Sequence, residues 1–367
     1  MSIKPSANPN QNNGHLSRLG WTPHFQAQLD HLSNERVTPA RVVGVRKNSF
    51  QASDGRREWL ATLAGRLRHD PGGPLPVTGD WVLMNDTVIH GVLTRKNALS
   101  RGAAGARNQR DERAPNEQVI AANLDTIFIV CGLDRDFNLR RIERYLTLVY
   151  NCGLSPAAIL TKADLHQDPP SCVAQVEAVA LGVPVHLTSV ANDACLAQLE
   201  PYLAPGRTAA MVGSSGAGKS TLVNLLCGRE VQPTRSVSAQ LGKGRHTTTT
   251  RDLIMMPQGG MVIDNPGIRE IAFWDLDGGI QAAFPEIEQL APECRFADCS
   301  HSHEPGCRVQ EAVAQGEIPR DRLENYLKMK RELEYLAQRQ NKGAGRVEKE
   351  RWKPVALQVK AINKRKG

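Results

Sequence analysis

The chain has 367 residues, 40% of them hydrophobic, which is enough for real cores and suggests two or three domains. Lys and Arg outnumber Asp and Glu by 46 to 38, which favours an anionic partner such as a nucleic acid, although solubility alone would also explain the excess. No apolar run approaches the roughly 20 residues of a membrane span, and the N-terminal residues lack a signal peptide's apolar segment. We therefore expect a cytoplasmic protein with no membrane partner.

The first part of the chain predicts a flexible segment and then a small barrel. Residues 1–34 open with a stretch rich in Ser, Asn, Pro and Gln and are expected to be flexible, with a short helix within Phe25–Leu32. Residues 35–102 carry short β-prone runs separated by turn residues, and five or so such strands predict an antiparallel barrel of the oligonucleotide-binding (OB) kind. Interleaved Arg and Lys side chains would suit a phosphate backbone, and they would equally suit a solvated surface.

Strands and helices alternate after a charged, glycine-containing linker at 103–118. The alternation runs from 119 to 276 and predicts an α/β domain with a doubly wound parallel sheet. The predicted strands are Thr126–Cys131, Ala157–Leu160, Val183–Leu187, Arg207–Val212 and Gly260–Ile263.

A complete phosphate-loop motif, G-x-x-x-x-G-K-[ST], lies between the strand 207–212 and a helical run. The motif and the residue after it are Gly213, Ser214, Ser215, Gly216, Ala217, Gly218, Lys219, Ser220 and Thr221. The glycines let the backbone wrap a phosphate chain, and the amides and helix dipole point at it. Lys219 is expected to reach the β- and γ-phosphates and Ser220 to bind Mg²⁺. The complete match and its flanks disfavour an ordinary Gly/Ser turn.

The sequence Thr161-Lys162-Ala163-Asp164 indicates which base is bound. Asp164 would lie at the carboxyl end of a strand, where its carboxylate accepts from N1–H and the 2-amino group of guanine. Adenine offers neither donor there, so such a site discriminates by roughly 10⁴-fold or more. The backbone amides of Ser189 and Val190, after the next strand, are expected to meet the guanine O6. A surface turn is the alternative interpretation.

Two further segments downstream of the phosphate loop are typical of γ-phosphate recognition. Asp264, at the end of the strand 260–263, is expected to hold Mg²⁺ through water, and the Gly267 amide to meet the γ-phosphate. The Gly- and Thr-rich basic segment 242–251 suits a switch loop in which Thr247 or Thr248 binds Mg²⁺.

Cysteines cluster once, as Cys294, Cys299 and Cys307, with His301 and His303 as alternatives for a fourth ligand. Three thiolates and an imidazole suit tetrahedral Zn²⁺ in a closed, structural site, and a cytosolic setting argues against disulfides. Helical runs surround the cluster, so residues 277–340 are predicted to be a small α-helical zinc domain. The tail 341–367 holds nine Lys and Arg against two Glu, and it predicts a nucleic-acid-binding arm or a plain solubilising tail.

These are the motifs of GTPases, but here base recognition precedes the phosphate loop, which in turn precedes the switches. A circular permutation allows that order, because domain termini lie close together. The chain resembles the circularly permuted GTPases that assist small-ribosomal-subunit biogenesis in bacteria, over nearly its whole length. The resemblance implies a barrel, a permuted P-loop GTPase domain and a zinc domain. It also implies subunit-stimulated GTP hydrolysis, late subunit maturation, rRNA binding, and His301 as the fourth zinc ligand. Nothing in the sequence demands a dimer.

Two positions depart from the usual GTPase pattern. Thr161 stands where most GTPases have Asn, and Ile268 stands where a water-orienting Gln would be expected. Because an isoleucine cannot orient water, intrinsic hydrolysis should be slow. His246 is the candidate substitute, unless it is simply a solvated loop residue. Two other functions remain open: a P-loop kinase or ATPase, which Asp164 argues against, and a non-catalytic RNA-binding module.

Overall fold

The computed structural model describes residues 13–31, 37–68, 74–102, 117–191, 193–232, 251–264 and 279–342. The chain divides into two compact units. The first contains residues 1–100 and 119–270, and the second contains residues 101–118 and 271–367. No helix in the described part of the chain is long and apolar enough to cross a membrane.

Five short strands of the first unit close into a barrel, as the sequence predicts. They are β1 (Thr38–Val45), β2 (Phe50–Ser53), β3 (Glu58–Leu63), β4 (Trp81–Asn85) and β5 (Val88–Val92). Their order is β1-β2-β3-β5-β4, and a β1–β4 ladder closes the ring. Val42, Ala52, Ala61 and Ile89 fill the interior. β2 was not identified from the sequence.

The N-terminal segment contains a helix at the place predicted within Phe25–Leu32, and an earlier helix that the sequence did not indicate. Helices α1 (Asn13–Arg18) and α2 (Pro23–Asp30) both lie within residues 1–34. Trp21 and Phe25 are buried and pack against Trp81 of the barrel, Trp21 edge-to-face and Phe25 tilted, with ring centroids 4.6 and 5.8 Å away. A single aromatic cluster thus anchors this segment to the barrel. The polar composition of the first dozen residues gives no sign of this cluster.

Helix α3 (Gly65–Arg68) lies between β3 and β4 in the chain, and the barrel is followed by a separate two-stranded sheet of β6 (Ala98–Gly102) and β7 (Glu117–Ala122). The strands after β7 form a central sheet. Its strands lie in the order β10-β9-β8-β11-β13-β12. The strands are β8 (Thr126–Gly132), β9 (Pro156–Thr161), β10 (Val185–Leu187), β11 (Thr208–Val212), β12 (Arg251–Met255) and β13 (Met261–Asp264), and the helices are α4 (Leu139–Asn151), α5 (Pro169–Val179) and α6 (Lys219–Cys227). All seven residues of β8 are buried, as expected when both faces of a parallel sheet are covered.

The strand β12 differs from its neighbours, since it runs antiparallel to β13 and also pairs with β1 of the barrel. The barrel and the parallel sheet therefore form one continuous sheet of eleven strands. Arg46, just after β1, makes an ion pair of 2.6 Å with Asp252 of β12.

The second unit is helical around its cysteines. It contains α7 (Gly279–Ala283), α8 (Pro285–Leu290), α9 (Arg308–Ala314) and α10 (Arg320–Lys342). Helices α7 and α8 are separated at Phe284, because Pro285 cannot donate the hydrogen bond that would continue α7. Phe284, Ile287, Val309 and Tyr326 are buried between these helices.

Candidate nucleotide site and cysteine–histidine cluster

The phosphate loop leaves the carboxyl end of β11, the strand between β8 and β13, and enters α6 at Lys219. Gly213 has φ +152°, and a Cβ there would lie 2.3 Å from the Val130 carbonyl oxygen, so only glycine fits. The backbone at Gly216 is exposed, and no atom lies within 4 Å of the place its Cβ would take. The loop is thus closely packed at Gly213, where it leaves the sheet, and open at Gly216, where a phosphate could approach the backbone.

Lys219 and Ser220 occupy the first turn of α6. The Lys219 ammonium donates to the carbonyls of Gly213 (2.8 Å) and Ser214 (2.6 Å), which holds it across the loop. In the β11–β13 ladder Met211 is opposite Asp264, so Asp264 ends its strand at the same edge of the sheet. This edge of the sheet therefore combines the ammonium group of Lys219, the hydroxyl of Ser220 and a strand that ends in an aspartate, which is the usual composition of a magnesium–phosphate site.

The base-recognition sequence contacts the phosphate loop directly. The Thr161 hydroxyl, at the end of β9, donates to the Ala217 carbonyl at 2.6 Å. Lys162 has a left-handed backbone (φ +61°), and its ammonium donates to the Gly216 carbonyl at 2.7 Å. Thr161 therefore links β9 to the loop through its hydroxyl, and the two motifs form one site.

Asp164 and Ser189 lie together at the end of the neighbouring strands. The Ser189 hydroxyl donates to one carboxylate oxygen of Asp164 at 2.5 Å, which fixes the carboxylate while leaving it exposed to a ligand. Ser189 is buried and Val190 is exposed beside it. The base-recognition residues and the phosphate loop are therefore brought to one edge of the sheet, as the sequence predicts for parallel strands.

Four predicted residues, His246, Thr247, Thr248 and Gly267, lie outside the described residues, as does the side chain of Asp264. Their placement stays a prediction.

Two carboxylates in the loop after β8, Asp134 and Asp136, were not identified from the sequence. Asp134 makes an ion pair of 2.5 Å with Lys162, and Asp136 accepts from the hydroxyl of Ser214 in the phosphate loop. Burial raises the pKa of Asp134, but the hydrogen bond and charge of Lys162 and the backbone amides together outweigh it, and the net pKa is lowered. The sequence signal for them is weak: two acids directly after a buried strand.

The second unit brings Cys294, Cys299, His301 and Cys307 together, with their ligand atoms within 4.8 Å of one another. The Cys294 and Cys307 sulfurs are 3.8 Å apart, and the His301 Nδ1 lies 3.6 and 3.5 Å from them. A tetrahedral zinc with ordinary bond lengths requires about 3.8 Å between sulfurs and about 3.6 Å between sulfur and nitrogen. The four residues thus fit zinc, with His301 rather than His303 as the nitrogen ligand.

Electrostatics point the same way. Burial opposes ionisation of Cys294, but the amides of Val309 and Arg308 donate to its sulfur, and its net pKa is lowered. Burial raises the pKa of Cys307 to about 11. Thiols packed this closely do not ionise together by themselves, whereas a bound dication deprotonates its thiol ligands.

Two side chains hold the segment that carries His301, whose backbone is left-handed (φ +56°). Gln310 donates to the His301 carbonyl at 2.6 Å. Glu304 accepts from the hydroxyl and amide of Ser300 and from the amides of Ser302 and His303. These donors hold the pKa of Glu304 well below its usual range.

Known proteins resemble this chain along most of its length. The family model for the RsgA GTPase matches residues 92–274. The small ribosomal subunit biogenesis GTPase RsgA of Opitutus terrae is 42% identical over 359 residues, which cover 93% of this chain and 95% of that protein. Among solved structures, YjeQ from Thermotoga maritima is similar, with a TM-score of 0.58 and 28% identity, covering 81% of this chain and 98% of that one. YloQ, a circularly permuted GTPase, shares the fold, with a TM-score of 0.54 and 23% identity, covering 82% of this chain and 96% of that one.

Proposed function

Because the chain belongs to the RsgA GTPase family and is therefore a GTP hydrolase, we propose that it binds the small ribosomal subunit and its rRNA and assists late subunit maturation. Hydrolysis to GDP and phosphate is slow in the protein alone and is stimulated by the subunit. The place of action is then the cytoplasm, with the chain acting as a monomer.

One observation carries the nucleotide assignment: the guanine-recognition sequence and the phosphate loop touch. Thr161 and Lys162 each donate to a carbonyl of the loop, and Asp164 is presented by the same turn. A kinase or ATPase would have no use for an exposed carboxylate on this turn, since adenine offers it no pair of donors. A module that binds RNA without catalysis would not need Lys219.

The residues of the nucleotide site have separate roles in phosphate binding, magnesium binding and charge stabilisation. The loop amides from Gly213 to Thr221 bind the phosphates, and Lys219 stabilises the charge that develops on the transferred phosphoryl group. Ser220, Asp264 and one of Thr247 and Thr248 are the residues that would hold Mg²⁺, which neutralises phosphate charge when bound. The Gly267 amide contacts the γ-phosphate.

The attacking water needs a group to orient it, and Ile268 cannot supply one. We assign this role to His246, in the segment between α6 and β12. Dependence on an ordered switch segment would explain why the subunit stimulates hydrolysis.

The cysteine–histidine cluster holds one structural zinc ion, since four protein ligands leave no open position for catalysis. We assign residues 35–102 to the barrel, 119–276 to the GTPase domain and 277–340 to the zinc domain. The segment 103–118 then links barrel and GTPase domain, and the basic tail 341–367 contributes to rRNA binding.

The decisive experiment measures GTP hydrolysis with and without purified small ribosomal subunits. ATP, large subunits and Lys219→Ala serve as controls, and removal of the lysine should lower the rate by about 10²-fold or more. Stimulation restricted to GTP and small subunits, and lost in the variant, is the expected result. Absence of stimulation would leave the nucleotide site intact as a proposal and remove the ribosomal partner.

The bound nucleotide should control the affinity for rRNA. Asp264 and Gly267 lie shortly before the zinc domain in sequence, so their contacts with the γ-phosphate can bias the conformation of that domain. We expect tighter binding to the small subunit with a non-hydrolysable GTP analogue than with GDP. Equal affinities in a sedimentation assay would contradict this gating.

A further inference from the structure

The loop between β8 and α4 contains a carboxylate, Asp136, that faces the phosphate loop. Its side chain is only 16% exposed. One oxygen accepts from the Ser214 hydroxyl at 2.5 Å and lies 3.5 Å from the Gly132 amide, and the other is paired with Arg141 in the first turn of α4. Both oxygens therefore have partners, and one partner belongs to the nucleotide site.

Ser214 is held from two directions. Its hydroxyl donates to Asp136, and its carbonyl accepts from the Lys219 ammonium at 2.6 Å. Asp136, Ser214 and Lys219 thus form a continuous chain of hydrogen bonds, from the start of α4 to the amine that binds phosphate. Movement of Ser214 would displace the carbonyl that positions Lys219.

The charge of Asp136 requires an explanation, since an acid beside a polyphosphate site repels its ligand. Arg141 compensates this charge, because its guanidinium pairs with the Asp136 carboxylate and also donates to the Asp136 backbone carbonyl at 3.3 Å. The carboxylate can then serve as a strong hydrogen-bond acceptor without contributing a net negative charge.

The neighbouring carboxylate, Asp134, has a different partner. It pairs with Lys162 at 2.5 Å, and its other oxygen accepts from the Asp136 amide at 3.0 Å. Of the two acids, Asp134 contacts the lysine of the base-recognition sequence, and Asp136 contacts the phosphate loop.

We propose that Asp136 is a positioning residue of the nucleotide site, which acts through Ser214 to hold the phosphate loop in its binding shape before nucleotide arrives. The inference rests on the nucleotide site proposed above. A loop ordered in advance loses less conformational entropy when the ligand binds, so the benefit appears as affinity for every nucleotide that carries the β-phosphate.

The expected effects follow from the geometry. Asp136→Ala and Ser214→Ala each weaken GDP and GTP binding by about tenfold, the value of a hydrogen bond to a charged group. The double variant is no weaker than either single variant, because both remove one interaction. Asp136→Asn keeps an acceptor oxygen and remains within about threefold of the wild type. For the two Asp136 single variants, which leave the loop's own residues unchanged, the kcat at saturating GTP changes by less than about threefold, since the interaction is made before and during the reaction alike.

The experiment titrates the full-length protein with a fluorescent N-methylanthraniloyl-GDP and competes it with GDP and GTP. Melting temperatures are measured for the nucleotide-free and GDP-saturated proteins. Glu177→Ala, which removes an exposed carboxylate of α5, is the matched control and should bind as the wild type does. A purely structural role for Asp136 would lower the melting temperature without nucleotide and leave the affinity unchanged.

The outcomes separate the two proposals. If the wild-type protein fails to bind the GDP probe, the proposed nucleotide site fails and the inference fails with it. If the wild type binds, the inference alone is overturned by Asp136→Ala binding GDP normally, or by additive losses in the double variant. Should Asp136→Ala not fold, Ser214→Ala and Asp136→Asn decide: tenfold weaker binding in the first and near-normal binding in the second support the proposal, and normal binding by Ser214→Ala contradicts it.

Discussion

The phosphate loop and the cysteine–histidine loop are both short connections between regular elements, yet they are supported in different ways. The phosphate loop follows β11, whose five residues are all buried, and Ala217 of the loop itself lies in the same core as Leu222 and Val223. In the loop 294–307 the only buried residues are Cys299, His301 and Cys307. These are three of the four residues that fit a zinc ion.

This difference teaches which part of each site carries the folding energy. Around the nucleotide, a sheet and its apolar core set the loop, and the ligand is added to a finished structure. Around the cysteines, the side chains that would form a core are themselves the residues that fit a zinc ion, so with the proposed zinc bound the metal would take the place of apolar contacts. Loss of nucleotide should therefore affect activity, and loss of metal should affect folding.

Removal of zinc is the strongest test of this contrast. Chelation, or Cys307→Ser, should unfold the loop 294–307 and the helices that flank it, since structural zinc sites contribute about 10–16 kcal/mol in small domains. Hydrogen exchange in α9 and α10 measures the effect. GDP affinity, which resides in the first unit, should stay within about twofold. Full protection of α9 after chelation would contradict the idea that the metal replaces a core.

Loss of guanine recognition should be the next largest effect, and it should leave the fold intact. Asp164→Asn replaces one acceptor oxygen with a donor, which mismatches the 2-amino group of guanine but matches the 2-oxo group of xanthine. GTP affinity should fall by about 10²-fold or more while XTP affinity rises. Competition binding with the two nucleotides gives the ratio. A variant that lost both nucleotides equally would show that Asp164 acts on the fold instead.

The sequence predicted features that depend on neighbours in the chain and missed those that depend on distant partners. The phosphate loop and β11 were predicted because turn chemistry and a short apolar run are local signals. The strand β12 was not identified from the sequence: it pairs with the nearby β13, but its other partner, β1, lies some two hundred residues earlier. Asp136 looks like any surface acid until the fold brings Ser214, 78 residues later, against it.

The same limit explains the metal cluster. The spacing of the cysteines predicts a metal site, but His301 and His303 are equally well spaced to be its fourth ligand. What decides between them is the fold: the Nδ1 of His301 lies 3.5 Å from the Cys307 sulfur, whereas His303 is exposed. Resemblance to a family anticipated that choice, whereas residue spacing alone left it open.

A smaller effect is expected at Glu304, which arranges the metal-binding segment without touching the cluster. Glu304→Ala leaves the amides of Ser302 and His303 without their acceptor and frees the backbone around His301. Zinc affinity should fall by about 10- to 100-fold, as it does when an outer partner of a ligand is removed. A competing chelator dye measures it, with Glu324→Ala, an exposed glutamate of α10, as the control. Unchanged affinity would mean that the ligands alone order the loop.

The smallest effect should follow from Arg46→Ala, which removes the ion pair between the barrel and β12. The two side chains are 36% and 33% exposed, so solvent screens the pair, and its loss should cost at most about 1 kcal/mol. The β1–β12 ladder remains, because Gly44 and Val45 pair with Asp252 and Arg251 through their backbones. Chemical denaturation measures the change, with the exposed neighbour Lys47→Ala as the control. A loss of several kcal/mol would show that the first unit depends on one polar contact rather than on its apolar core, and the contrast between the two supports would then not hold.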